Sequence, residues 1–141
     1  MNSWIVAGLI AGVVAYLVDW VVWSKVFNTG MEAFSAFGVH TTPEEMKRFM
    51  GPALAKSAVL SLAYGVLFAW LYARFRGALW VEGGGVFAGM EFATVLWIPL
   101  CLAMVGSSVW YVKAKSLQMA TCWAWLIRMN AAGIVVGLLM K

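Results

Sequence analysis

A chain of 141 residues that is 64% hydrophobic and 11% charged, with a mean hydropathy of +0.87, carries less than half of the ~25% charge usual in soluble domains. A water-soluble globule cannot hide so much apolar surface, and the length leaves room for one domain only. The formal charge of +4 and pI near 9.3 would suit nucleic acid, but the ten Lys and Arg stand singly or in pairs between apolar runs. That distribution suits anionic headgroups, so the lipid bilayer is the expected partner and nucleic acid is not.

A helix needs about 20 largely apolar residues to cross roughly 30 Å of hydrocarbon, and four segments meet that need. The first runs from Trp4 to about Trp23 (4–23). It is expected to be a retained span, because Met1-Asn2-Ser3-Trp4 has no basic leader and no small-residue cleavage site interrupts the apolar run. Between Ser24 and Gly51 lies the one sizeable extramembrane segment, in which Thr42-Pro43-Glu44-Glu45 is a capping box with proline at the first helical position. The pattern predicts a short interfacial helix over 43–50, with Met46, Phe49 and Met50 toward acyl chains and Lys47 and Arg48 toward headgroups.

Gly51-Pro52 is expected to turn the chain into a second span over about 52–73, with Lys56 snorkelling and Arg74 and Arg76 as the stop. The third covers about 83–107 and contains Glu91 and Pro99; its opening Gly83-Gly84-Gly85 lacks the lysine and hydroxyl residue of a phosphate-binding loop and reads as a close-packed helix start. The fourth covers about 116–140, with Arg128 as its only charge. Strands of this length would leave backbone groups unsatisfied in lipid, so the expected fold is an all-α membrane protein, an up-down bundle of four transmembrane helices. The larger basic set, Lys25, Lys47, Arg48, Lys113 and Lys115, places its side in the cytoplasm and both termini on the other.

Helices in lipid associate through close backbone approach at small residues. Ser57, Ser61, Gly65, Ala69 and Ala73 put a small residue at every fourth position of the second span. Gly8 with Gly12, Gly85 with Gly89, and Gly133 with Gly137 give the other three spans a GxxxG pair each. These tracks predict a compact bundle, with room for partner chains. Trp4, Trp20, Trp23, Trp80 and Trp110 fall where interfacial belts belong, whereas Trp97 sits mid-span without that explanation.

Three ionisable residues lie inside spans: Asp19, Glu91 and Arg128. Each costs about 2.5–3.5 kcal/mol at a helix centre, so each is expected to face the interior and find a partner, with Asn130 as an amide for either carboxylate. Two readings follow. Either Arg128 pins helices together through charge pairs, or one acid exchanges protons along a path while Arg128 holds the other. Cys101, Met104, Met119 and Cys122 come to similar depth on two adjacent spans, where soft sulfur would select Cu(I); the alternative is that all four are packing residues. His40, the only histidine, stands in the first loop and reads as solvated.

In the order of its features the chain resembles a family of small bacterial four-span membrane proteins of unknown function. The likeness rests on the exit from Trp23-Ser24 to Phe27, the entry Gly84-Gly85 with Gly89 and Trp97, and Asn130-Ala131. It implies a bacterial inner membrane and supplies no catalytic residue. No nucleophile elbow, nucleotide loop or zinc motif is present, so no enzyme activity and no cofactor are expected. The expected function is an accessory or structural subunit, or a homo-oligomeric packing module. The alternative is a small proton- or ion-linked transporter or channel built on Asp19, Glu91 and Arg128, and so thin a bundle would need other copies to complete a pore.

Overall fold

The computed structural model describes residues 3–26, 43–82, 84–108 and 115–140. All four long elements are helices: α1 (Ser3–Val21), continued by a π-helical turn Val22–Val26; α2 (Pro43–Phe75), ended by a 3-10 turn Arg76–Ala78; α3 (Val86–Ser108); and α4 (Lys115–Leu139). No strand occurs among the described residues. Each helix contains a segment long and apolar enough to cross a membrane: Trp4–Val26, Met50–Ala78, Val86–Ser107 and Leu117–Leu139. His40, Thr42, Phe27, Gly83, Trp110 and Lys113, on which the cap, the belt, the loop reading and part of the charge count depended, lie outside the described residues.

Three boundaries differ from expectation, each for a physical reason. The turn expected at Gly51-Pro52 does not form; α2 runs through both residues, so 43–50 is the leading two turns of α2 and not a separate short helix. Proline removes one backbone donor and crowds the carbonyl four residues back. Arg48, Gly51 and Pro52 are exposed, so polar surroundings can take up the freed carbonyl. At the other end the helix stops at Phe75, between Arg74 and Arg76, two residues beyond the expected 73; Arg76 Nη1 donates to the Met140 carbonyl at 2.8 Å, which caps the end of α4 and fastens it to the end of α2. The third span starts at Val86, because Gly84 (φ +73°) and Gly85 (φ +86°) adopt left-handed backbone that only glycine takes without strain.

Small residues bring the helices into backbone contact in two seams. A Cβ added to Gly8 would lie 2.6 Å from the Val66 Cα, and one added to Gly12 would lie 2.6 Å from the Ser61 carbonyl oxygen; Gly65 presses in turn on the Gly8 and Gly12 backbones. Rising numbers in α1 meet falling numbers in α2, so this pair is antiparallel. Gly89 packs on Gly133, and Gly137 on the Gly85 carbonyl, which makes α3 and α4 antiparallel in the same way. Ala7, Ala11 and Ala15 are fully buried along α1.

Between α2 and α3 the space is filled by rings. Phe92 meets Phe68 and Tyr72 edge-on, with centroids 5.1 and 5.5 Å apart, a geometry that aligns the positive edge of one ring with the negative face of the other. The outer faces are apolar too: Leu60, Phe87 and Leu102 are 68%, 75% and 67% exposed. Such a surface suits lipid and not water.

Candidate functional site

The polar centre of the fold is Arg128, on α4. Its Nη1 donates to Asp19 Oδ2 of α1 at 3.3 Å, and its Nη2 donates to Ser61 Oγ of α2 at 2.7 Å. One side chain thus ties three helices. The guanidinium also lies over two aromatic faces, 4.6 Å from the Trp125 centroid and 5.0 Å from that of Tyr64, where the ring quadrupole attracts a cation. Those rings stand edge to face with each other. The Arg128 side chain is 11% exposed and that of Asp19 is 23% exposed. Trp23, one turn beyond Asp19, also hydrogen-bonds to its carboxylate.

Sequence spacing explains why these groups converge. Ser61 and Tyr64 are three residues apart on α2, as are Trp125 and Arg128 on α4, so each helix presents a hydrogen-bonding group and a ring on one face. Gly12 against Ser61 brings α1 close enough for Asp19 to reach. Arg128 Nε and the Tyr64 hydroxyl are buried beside this centre without a hydrogen-bond partner among the described residues.

Glu91 does not join the centre. Its Oε1 accepts from the Trp80 backbone N–H at 2.7 Å and its Oε2 from that of Val81 at 2.9 Å. The carboxylate therefore folds the segment between α2 and α3 back onto the first turns of α3, leaving the Trp80 side chain 87% exposed. Asn130 offers its amide to neither acid, since its Nδ2 donates to the Leu126 carbonyl one turn earlier in its own helix.

Of the four sulfur residues, the structure brings Cys101 of α3 and Cys122 of α4 close enough to interact. Met119 is 36% exposed, and Met104 contributes a carbonyl that accepts from Ser107 Oγ. Among the described residues no group of three or more His, Cys, Asp or Glu is placed to hold a metal. The mid-span Trp97 finds its explanation here: its Nε1 donates to the Cys122 carbonyl at 2.9 Å and its ring lies against Trp123.

Gly8, Gly12, Ser61, Gly65, Gly85, Gly89, Gly133 and Gly137 all lie in contacts within this chain, while Ser57 is only half-buried. Sequence reasoning found Asp19 and Arg128 as charges but missed Tyr64 and Trp125, and it read Arg76 as a stop without its hold on Met140. The signal for the first two was the ring three residues from each polar group. Chemically, the Arg128 centre can hold a cation in place with one carboxylate, one hydroxyl and two rings. Among the described residues Asp19 is the carboxylate paired with it, and Glu91, the acid that sequence placed beside it, is bonded to backbone elsewhere. No protein-family model, no curated protein and no solved structure matches the chain.

Proposed function

We propose that this chain is a non-catalytic structural module of a bacterial inner membrane, an accessory subunit or homo-oligomeric packing unit built as an up-down bundle of four transmembrane helices. The observation that carries the reading is that Asp19, Glu91 and Arg128 are all committed to holding the fold: Asp19 and Ser61 to Arg128, and Glu91 to the Trp80 and Val81 amides. Buried ionisable groups in membrane helices mark either transport paths or structural ties, and groups that are paired with one another or with backbone fit the tie. The antiparallel glycine seams and the Arg76 clamp on Met140 support the up-down order. The bacterial inner membrane rests on the resemblance of feature order alone. In this reading the first two turns of α2, with Glu44 and Arg48 exposed, stand at the headgroup level where an interfacial segment was expected.

The small-residue seams are occupied within the chain, so an association with other chains would use the outer apolar faces. Purification in mild detergent followed by intact native mass measurement tests the proposal. A complex with foreign membrane chains, or a defined homo-oligomer, is the expected result; a monomer that recruits nothing across several detergents removes the accessory reading.

The second reading, a proton- or ion-linked transporter, keeps one observation in its favour. Arg128 Nε and the Tyr64 hydroxyl are buried polar groups without hydrogen-bond partners among the described residues, beside the partly exposed Asp19. A π-helical turn begins at Val22, three residues after Asp19, and such turns recur at functional sites.

A further inference from the structure

On the outer face of the α1–α2 pair lies an open groove of about 750 Å³ whose lining is almost wholly apolar. Trp4 and Leu9 form one wall, and Val59, Ala63, Leu67 and Trp70 form the other. From Val59 to Trp70 is 11 helical rises of about 1.5 Å, or roughly 16 Å, close to half of the ~30 Å hydrocarbon core. The groove therefore has the length of one leaflet. At its Trp70 end stands Arg74, exposed, with its guanidinium carbon 5.9 Å from the centroid of the Trp70 ring. The neighbouring cation, Arg76, is already engaged on the Met140 carbonyl, which leaves Arg74, among the described residues, to serve this mouth.

We propose that this groove binds one anionic membrane phospholipid, with an acyl chain lying between α1 and α2 and the phosphodiester held by Arg74. The argument is complementarity of both length and charge. The walls suit a hydrocarbon chain of one leaflet, the two tryptophans bracket the depth where glycerol and headgroup begin, and Trp70 holds the guanidinium where a phosphate would sit. A zwitterionic choline headgroup brings its own cation toward Arg74 and is bound less well. Lys56 lies 18 residues from Arg74, roughly 27 Å along the helix, so it serves the opposite leaflet and not this site.

Native mass spectrometry of the full chain in mild detergent, titrated with phosphatidylglycerol or phosphatidylcholine, tests this directly. One tightly retained phosphatidylglycerol is expected, in preference to phosphatidylcholine. Arg74→Gln should weaken its retention about fivefold, the effect of one basic residue at an anionic surface. Ala63→Phe, which fills the groove at an exposed position, should abolish retention while the thermal melting of the protein is unchanged. Lys56→Gln should leave it intact. Equal binding of the two lipids, an unaffected Arg74→Gln or Ala63→Phe variant, a loss of the same size in Lys56→Gln, or displacement of the lipid by a second copy of the chain would each overturn the assignment.

Discussion

Replacing Asp19 by Asn removes the carboxylate that, among the described residues, pairs with Arg128, and leaves a permanent cation whose side chain is 11% exposed. Breaking a buried pair by deleting one partner costs about 3–5 kcal/mol in proteins. Here the guanidinium keeps Ser61 at 2.7 Å and the Trp125 and Tyr64 faces, and Asp19 is itself 23% exposed, so the loss falls to about 2–3 kcal/mol. Removing both charges, as Asp19→Leu with Arg128→Met, takes away the uncompensated cation together with its partner. The double variant should regain most of the loss, with a coupling energy of about 1.5 kcal/mol or more. Unfolding in mixed micelles of rising dodecyl sulfate content, followed by circular dichroism, measures both, with Lys56→Gln as the control for losing an exposed charge. If Asp19→Asn matches that control, or the double variant is no more stable than the sum of its parts, Arg128 is not the tie described here.

Other consequences are open to simple measurement. Gly12→Ala sets a methyl 2.6 Å from the Ser61 carbonyl oxygen, a backbone atom that cannot rotate away, and should cost about 1–3 kcal/mol in the same assay. Gly106→Ala meets nothing within 4 Å and should be neutral or stabilising by up to about 1 kcal/mol. The opposite order would show that the α1–α2 seam is looser than its geometry. Glu91→Gln weakens the charged acceptor of two backbone hydrogen bonds, each worth about 1.5–3 kcal/mol, so amide exchange at Trp80 and Val81 should quicken about tenfold or more while α1 is unaffected. Unchanged exchange at those two amides would mean that Glu91 does not hold the segment.

Much of the architecture was legible because lipid imposes strong rules. A run such as Trp4 to Trp23 has few alternatives to a membrane helix, and glycine four residues from glycine marks close approach, which Gly8, Gly12, Gly89 and Gly133 all make. The cost of a charge in hydrocarbon likewise made Asp19 and Arg128 natural partners. Glu91 was misplaced because its partners are main-chain amides of a segment that folds back, and backbone donors carry no residue-type signature. Gly51-Pro52 read as a turn because both residues break helices in isolation; an exposed position and the continuing apolar face of α2 outweigh that local preference. The rings around Arg128 stayed hidden because Tyr64 and Trp125 serve equally as membrane filler, and only the crossing of two helices turns them toward one guanidinium.

In the proposed structural reading Asp19 and Glu91 hold helices and a connecting segment in place and do not pass protons. Proton flux into liposomes containing the purified chain, with a pH-sensitive dye trapped inside and a potassium diffusion potential as the driving force, tests it most directly. The account predicts that the wild type, Asp19→Asn and Glu91→Gln all match protein-free liposomes, with the two variants differing from the wild type only in stability. A wild-type flux above that background, abolished by Asp19→Asn in protein that still folds, would contradict it.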